Sequence, residues 1–231
     1  MPGDRRNETV LILGGTREAA DLARQLVADR PDARIITSLA GRTREPAPLE
    51  GEVRTGGFGG APGLARFIEY QGVTQLIDAT HPFARQISAN AAEAARLTGV
   101  PFEVRTRNPW TKRPGDRWTD VKTLEEARDA IPSGARVLLA LGSQHIRLFS
   151  SREDVHFVVR MIDRPEEPLS LPDHSLVLGR PGDSAAVETM LLLAYSVTHI
   201  VCRNSGGKAA YAKIEAARQL GLPVIMVERT A

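Results

Sequence analysis

Short continuous apolar runs alternate with helix-period segments along this 231-residue chain. TVLIL (9–13), ARIITSLA (33–40) and TQLIDA (74–79) come first. RVLLALG (136–142), VHFVVRMI (155–162), HIVCRN (199–204) and PVIMVE (223–228) come later. A run that is apolar at every position marks a strand buried on both faces, and parallel strands of that kind need crossover helices. The intervening segments supply them: 16–29, 62–72, 82–99, 123–131, 183–196 and 208–221 all carry helical periodicity. VRTGG (53–57) and SLVLG (175–179) read as further short strands. The fold class is therefore α/β.

One stretch breaks the alternation. NPWTKRPGDRWTD (108–120) is rich in Pro, Gly and charge, lacks periodicity, and reads as a connection between two domains, 1–107 and 108–231. EAARLTGVP (93–101) and EAARQLGLP (215–223) agree at six of nine positions, one in each half. Gly closing a helix and Pro opening a strand is ordinary punctuation, so about half of this echo is generic loop chemistry.

Composition narrows the function classes. No apolar run approaches the roughly 18 residues of a membrane-spanning helix, and no leader pattern precedes the first strand, so a cytoplasmic protein is expected. Cys202 is the lone cysteine, which excludes an intramolecular disulfide and a cysteine-rich metal site. A net charge of +2 is too small to argue for nucleic acid. Of 30 cationic residues only four are lysine (Lys112, Lys122, Lys208, Lys213). A general Arg and Ala bias is the plainer explanation of that excess; a phosphate or carboxylate ligand, which arginine suits, needs support from position.

In an open parallel sheet ligands bind beyond the carboxyl ends of the strands. Five loops occupy that edge: GGTRE (14–18), SLAGRTR (38–44), DATHP (78–82), GSQH (142–145) and RNSGGK (203–208). Gly14 and Gly15 permit either a plain tight turn or a phosphate cradle, with Thr16 as a helix cap. SLAGRTR has no acid to bind a ribose 2′-hydroxyl. Its Ser38, Arg42, Thr43 and Arg44 suit a 2′-phosphate, or else a solvated loop. Asp78, Thr80 and His81 stand on the same rim. Asn204–Lys208 offers an anion nest or merely a capped turn, with Tyr211 and Lys213 following on the first turns of a helix. His145, His156, His174 and His199 have no partner at metal-ligand spacing and read as structural, so no metal is expected. Trp110 and Trp118 read as packing residues, with Trp110 also placed to face a cleft.

LILGGTREAADLA, DATHPFARQISANAAEAARLTGVPFEVRTRNPW and VCRNSGGKAAYAKIEAARQLGLPVIMVER resemble, nearly end to end, the precorrin-6A reductase family of cobalamin biosynthesis. RVLLALGSQHIRLF, FVVRMID and LGRPGDSAAVET fall between them in family order, and DATHPFA is the most specific piece. The chain departs from the family at Arg180-Pro181-Gly182-Asp183, at Arg203 and at Arg229-Thr230. The resemblance implies two Rossmann-like parallel-sheet domains with a cleft between them: an N-terminal NADPH-binding domain, and a C-terminal domain contributing to the substrate cleft. It implies hydride transfer from NADPH to a ring double bond of precorrin-6A, a tetrapyrrole-like polycarboxylate, giving precorrin-6B.

On that basis Gly14, Gly15, Thr16 and Arg17 are expected at the cofactor's pyrophosphate, and Ser38, Arg42 and Thr43 at its adenosine end. Asp78, Thr80, His81 and Pro82 are expected at the nicotinamide, with Ser205, Gly206 and Gly207 approaching the cofactor from the other domain. Lys208, Tyr211 and Lys213 are expected at the substrate, with His81 and Lys213 as candidate acids. Arg105, Arg107, Arg160 and Arg164 lie near strand ends and are candidates for substrate carboxylates. No nucleic acid or membrane partner is implied, and a monomer is compatible with everything above. Other classes consistent with the loops are an NADP-dependent reductase of another anionic substrate, a methyltransferase with a similar sheet, and a non-catalytic two-domain module that closes on an anion.

Overall fold

Five strands, all parallel, build the sheet of the first half in the order β3-β2-β1-β4-β5: β1 (Thr9–Leu13), β2 (Arg34–Leu39), β3 (Glu52–Thr55), β4 (Gln75–Asp78) and β5 (Phe102–Val104). The computed structural model describes residues 8–41, 48–208 and 210–229. The chain divides into two units, Met1–Arg107 and Asn108–Ala231.

Strand alternation assigns the two faces of the first sheet. Val10, Ile12, Ile35 and Ile77 point to one side and pack on Ala19, Ala23 and Leu26 of α1 (Arg17–Asp29). Leu11, Leu13, Ile36 and Leu76 point to the other. There they meet Leu64 and Ile68 of α2 (Gly60–Gln71) and Ala91, Ala94 and Ala95 of α3 (Arg85–Thr98). Both faces are covered, which is why the central strands are apolar throughout. The α3 helix starts three residues after the Pro82 expected to open it. The amide of Ala84 donates to the carbonyl of His81 at 2.7 Å, so 81–84 is a turn of its own.

The second unit has six parallel strands in the order β6-β11-β10-β7-β8-β9. These are β6 (Arg117–Val121), β7 (Arg136–Ala140), β8 (His156–Met161), β9 (His174–Leu178), β10 (His199–Arg203) and β11 (Pro223–Val227). Leu138, Val158, Ile200, Cys202, Val224 and Met226 pack against Leu192 of α5 (Ala185–Ala194) and Ile214 and Ala217 of α6 (Ala212–Leu220). On the opposite face Val137, Leu139 and Phe157 are buried, and Phe149 from the 3₁₀ segment Ser143–Phe149 meets Phe157 edge-on, ring centres 5.8 Å apart. A short helix, α4 (Leu124–Asp129), is capped by Thr123, whose hydroxyl accepts from the Glu126 amide.

The stretch expected to be a connection is part of this unit. Arg117–Val121 pairs in parallel register with Pro223–Val227 as an edge strand. Only Trp118 and Val121 of β6 are buried, so it lacks the continuous apolar run by which the central strands announce themselves. Ahead of it, the Trp110 amide donates to Asn204 Oδ1 (2.7 Å), Asn204 Nδ2 returns a bond to the Trp110 carbonyl (2.9 Å), and the Trp110 indole donates to the Gly207 carbonyl (2.7 Å). Residues read as a linker are thus stapled to the turn after β10. Among the described residues no helix is long and apolar enough to cross a membrane.

Candidate functional site

In the first sheet the winding reverses between β1 and β4: α1 follows β1 on one face and α3 follows β4 on the other. A crevice for a ligand opens at such a reversal. Here the loops around it are bonded into one frame. The Ala79 amide donates to the Leu13 carbonyl (3.0 Å), and the Gly14 amide to the Ser38 carbonyl (2.9 Å). Thr16 links them: its hydroxyl donates to the Ala79 carbonyl (3.0 Å) and accepts from the Ala19 amide (3.1 Å), capping α1. Gly15 lies at φ +104°, and a Cβ built on it would meet no atom within 4 Å. The backbone is therefore open on that side, next to the positive end of a 13-residue helix. Arg17 is exposed on the first turn.

Asp78 is 3% exposed, and its Oδ1 accepts from both the amide (3.0 Å) and the hydroxyl (2.6 Å) of Thr80. Its carboxylate thus folds the DATHP turn. His81 and Pro82 are half-buried, and His81 Nδ1 accepts from the Phe83 amide at 3.3 Å. That bond assigns the neutral ring's proton to Nε2. Ser38 is buried at the end of β2, where it accepts from Arg54 (3.2 Å). Arg42 and Thr43 lie outside the described residues.

In the second sheet the winding reverses between β10 and β7, and the turns after those strands are joined by Arg203, whose guanidinium meets His145 Nε2 at 2.8 Å. Ser205 is buried, and Gly206 and Gly207 follow at φ +66° and +72°. A Cβ on Gly206 would stand 2.2 Å from the Asn108 carbonyl oxygen and 2.4 Å from the Arg229 guanidinium, so no other residue fits there. Arg229 donates to the carbonyls of Asn204 (2.9 Å) and Ser205 (2.7 Å), which turns the acceptors of this loop inward. Beside it is a pocket of about 240 Å³ whose lining includes Trp110, Tyr211, the cations Arg113 and Lys208, and the acids Asp183 and Glu215. Lys208 and Arg113 are exposed, and the Tyr211 hydroxyl accepts from Arg218 at 2.6 Å.

Lys213 differs from its expected setting. It is 5% exposed, its ammonium donates to the Ala210 carbonyl (2.7 Å), and it lies 5.1 Å from the centre of the Trp110 ring. Burial pushes its pKa down, opposed by the nearby Cys202 and Glu188 and reinforced by Arg160. Burial also raises the Cys202 thiol to about 11, which keeps it neutral and unreactive.

Three of the four arginines considered for substrate carboxylates are engaged by acids of their own unit. Arg105 pairs with Glu103, Arg107 with Glu18 (2.7 Å), and Arg160 with Glu188 (2.8 Å). Arg164 is exposed beyond β8. Among the described residues no group of three His, Cys, Asp or Glu is placed to hold a metal ion. His156 sits between Asp173 (2.9 Å) and Ser175 (3.0 Å) at the amino ends of β8 and β9, opposite the loop-bearing edge.

Arg54, Arg113 and Arg229 escaped the sequence reading of the site and become visible once strands are paired. Asn204 lay in the expected nest and Trp110 was placed to face a cleft, but the bonds that join them were not foreseen.

Comparison with known proteins places residues 9–231 within the family described as precorrin-6x reductase CbiJ/CobK. A precorrin-6A reductase of Rhodobacter capsulatus is 47% identical over 223 residues, 96% of this chain and 88% of that protein. A cobalt-precorrin-6A reductase of Priestia megaterium is 31% identical over 95% of this chain and 90% of its own length. A solved structure of CobK precorrin-6A reductase matches with a TM-score of 0.92 at 46% identity, covering 97% of this chain and 89% of that one.

Proposed function

The chain belongs to the precorrin-6x reductase CbiJ/CobK family, and from that premise we propose how its residues divide the reduction of precorrin-6A between a nucleotide site in the first unit and a carboxylate-binding site in the second. The activity is that of a reductase acting on a carbon–carbon double bond of a corrin precursor in cobalamin biosynthesis. NADPH is the cofactor in this reading. When bound it supplies the hydride, and the protein's part is binding, orientation and electrostatics.

One observation carries the nucleotide assignment: the frame joining Gly14, Thr16, Ser38 and Ala79 at the winding reversal, with open backbone at Gly15. A dinucleotide fits such a frame, because its pyrophosphate needs close backbone approach and a helix N-terminus. Gly14, Gly15, Thr16 and Arg17 hold that group. Ser38, together with Arg42 and Thr43, receives the adenosine end, where β2 closes without the acid that would favour an unphosphorylated ribose. Asp78 keeps the next turn folded through Thr80, so that Thr80, His81 and Pro82 border the nicotinamide. His81, with its N–H on Nε2, can donate a hydrogen bond to the macrocycle as negative charge develops there.

In the second unit the left-handed pair Gly206 and Gly207 after Ser205 makes an anion nest. Lys208 and Arg113 beside it suit the acetate and propionate groups of the macrocycle. Tyr211 forms one wall of the pocket. Lys213, buried under Trp110, keeps this wall in place and does not meet the substrate. Stopped-flow mixing of enzyme, NADPH and precorrin-6A under single-turnover conditions tests the reading. Loss of nicotinamide absorbance with NADPH, and much slower loss with NADH, is expected. Binding of the macrocycle with no loss of absorbance would identify a non-catalytic binding module and refute it.

A further inference from the structure

Arg54 of β3 is a half-buried cation with no carboxylate partner among the described residues. Its Nη1 donates to Ser38 Oγ (3.2 Å) and the Gly56 carbonyl (2.6 Å), and its Nη2 to the Gly57 carbonyl (2.7 Å). Two of its five N–H groups, the Nε–H and one on Nη2, therefore have no acceptor among the described residues. The guanidinium lies 3.8 Å over the centre of the Phe58 ring and 5.2 Å from that of Phe67, and those rings meet edge-on. The platform fixes the fork at the carboxyl end of the sheet, one strand outside β2, because Ser38 and Arg54 are register partners. Burial lowers the Arg54 pKa, the mark of a cation whose lost hydration no opposite charge offsets. The other arginines near strand ends named above are largely spent on their own acids; this one is held by neutral oxygens and an aromatic face.

We propose that Arg54 is the specificity-determining residue that recognises the 2′-phosphate of the nucleotide's adenosine end. The proposal rests on the reading that the first unit binds NADPH at β1 and β2. A 2′-phosphate leaving the adenosine over the end of β2 meets Ser38 and then this fork, whose unused donors match two phosphate oxygens. A ribose bearing a free 2′-hydroxyl leaves the cation uncompensated.

Calorimetric titration of the full chain with adenosine 2′,5′-bisphosphate and with 5′-AMP separates the two ideas. The parent is expected to prefer the bisphosphate. Arg54→Gln should weaken bisphosphate binding about 10- to 100-fold, the range of a charge-assisted contact, while leaving 5′-AMP within about 2-fold. Arg54→Lys, which keeps the charge and loses the fork, should fall between, and it carries the test should the Gln variant fail to fold. A parent that binds both ligands equally overturns the NADPH reading itself. A parental preference that survives in both variants overturns the Arg54 assignment alone. Equal weakening of both ligands also overturns it, by showing that Arg54 only props the loop.

Discussion

Replacing Glu188 with Gln should destabilise the second unit far more than the one lost charge would if the pair stood at the surface. Both oxygens of Glu188 accept from Arg160, each at 2.8 Å, and the side chains are 1% and 8% exposed. Oε1 also accepts from the Gly182 amide at 2.6 Å, which ties the loop before α5 to the helix. Glutamine preserves volume and an acceptor for Gly182, so the loss reports the charge. Removing one partner of a buried pair strands the other and costs about 3–5 kcal/mol. We take about 3 kcal/mol because the shape is kept, which for a unit of this size lowers Tm by on the order of 10 °C. With an m-value of about 2 kcal/mol/M, the urea midpoint falls by about 1.5 M. Trp110 and Trp118 are the chain's two tryptophans and both lie in this unit, so tryptophan fluorescence during urea titration reports its unfolding specifically. The double variant Arg160→Met with Glu188→Leu should recover most of the loss, because the pair's own net contribution is small. A single-variant loss below about 1 kcal/mol, or a double variant no more stable than the single, would refute the reasoning.

Other expectations follow from the same structure. Lys213 has a lowered pKa in the folded state, so the unfolded chain binds more protons and stability rises with pH toward the unfolded value of about 10.4. Lys213→Met should flatten that rise and add about 1–2 kcal/mol at pH 7; urea midpoints at pH 7 and 9 check both, and a destabilised variant would count against the burial argument. Thr16→Val removes the cap on α1 and the bond to Ala79, which should cost about 1–2 kcal/mol and weaken nucleotide binding, read by hydrogen exchange in β1 and by calorimetry. Gly206→Ala forces a Cβ into the Asn108 carbonyl at positive φ, so a loss of at least about 2 kcal/mol and altered Trp110 fluorescence are expected. His81→Ala should slow single-turnover hydride transfer if the Nε2 proton is used; an unchanged rate removes His81 as donor.

The parallel α/β architecture was legible because it is written in local periodicity. Val10–Leu13 and Leu76–Ile77 are apolar at successive positions for the plain reason that helices cover both faces. Thr16 was readable as a cap, and Gly72, Gly99 and Gly221 as helix ends, since capping chemistry acts within one turn. The edge strand β6 was not, because a half-buried strand presents only Trp118 and Val121 to the core. Lys213 read as a substrate-contacting candidate acid at the head of a helix, yet it is buried together with Ile214, Ala216 and Ala217. Its helical neighbours thus held a signal that the charge concealed.

Sequence alone determined the central strands, the main helices and the loops at the carboxyl edge, since these depend on patterns a few residues long. The tertiary structure alone decided which side chains those loops bring together. Trp110 meets Asn204 across 94 positions, Thr16 reaches Ala79 across 63, and Arg54 comes to Ser38 across 16, all through strand order and register. Such contacts are set by the sheet as a whole, and no short window of the chain encodes the sheet.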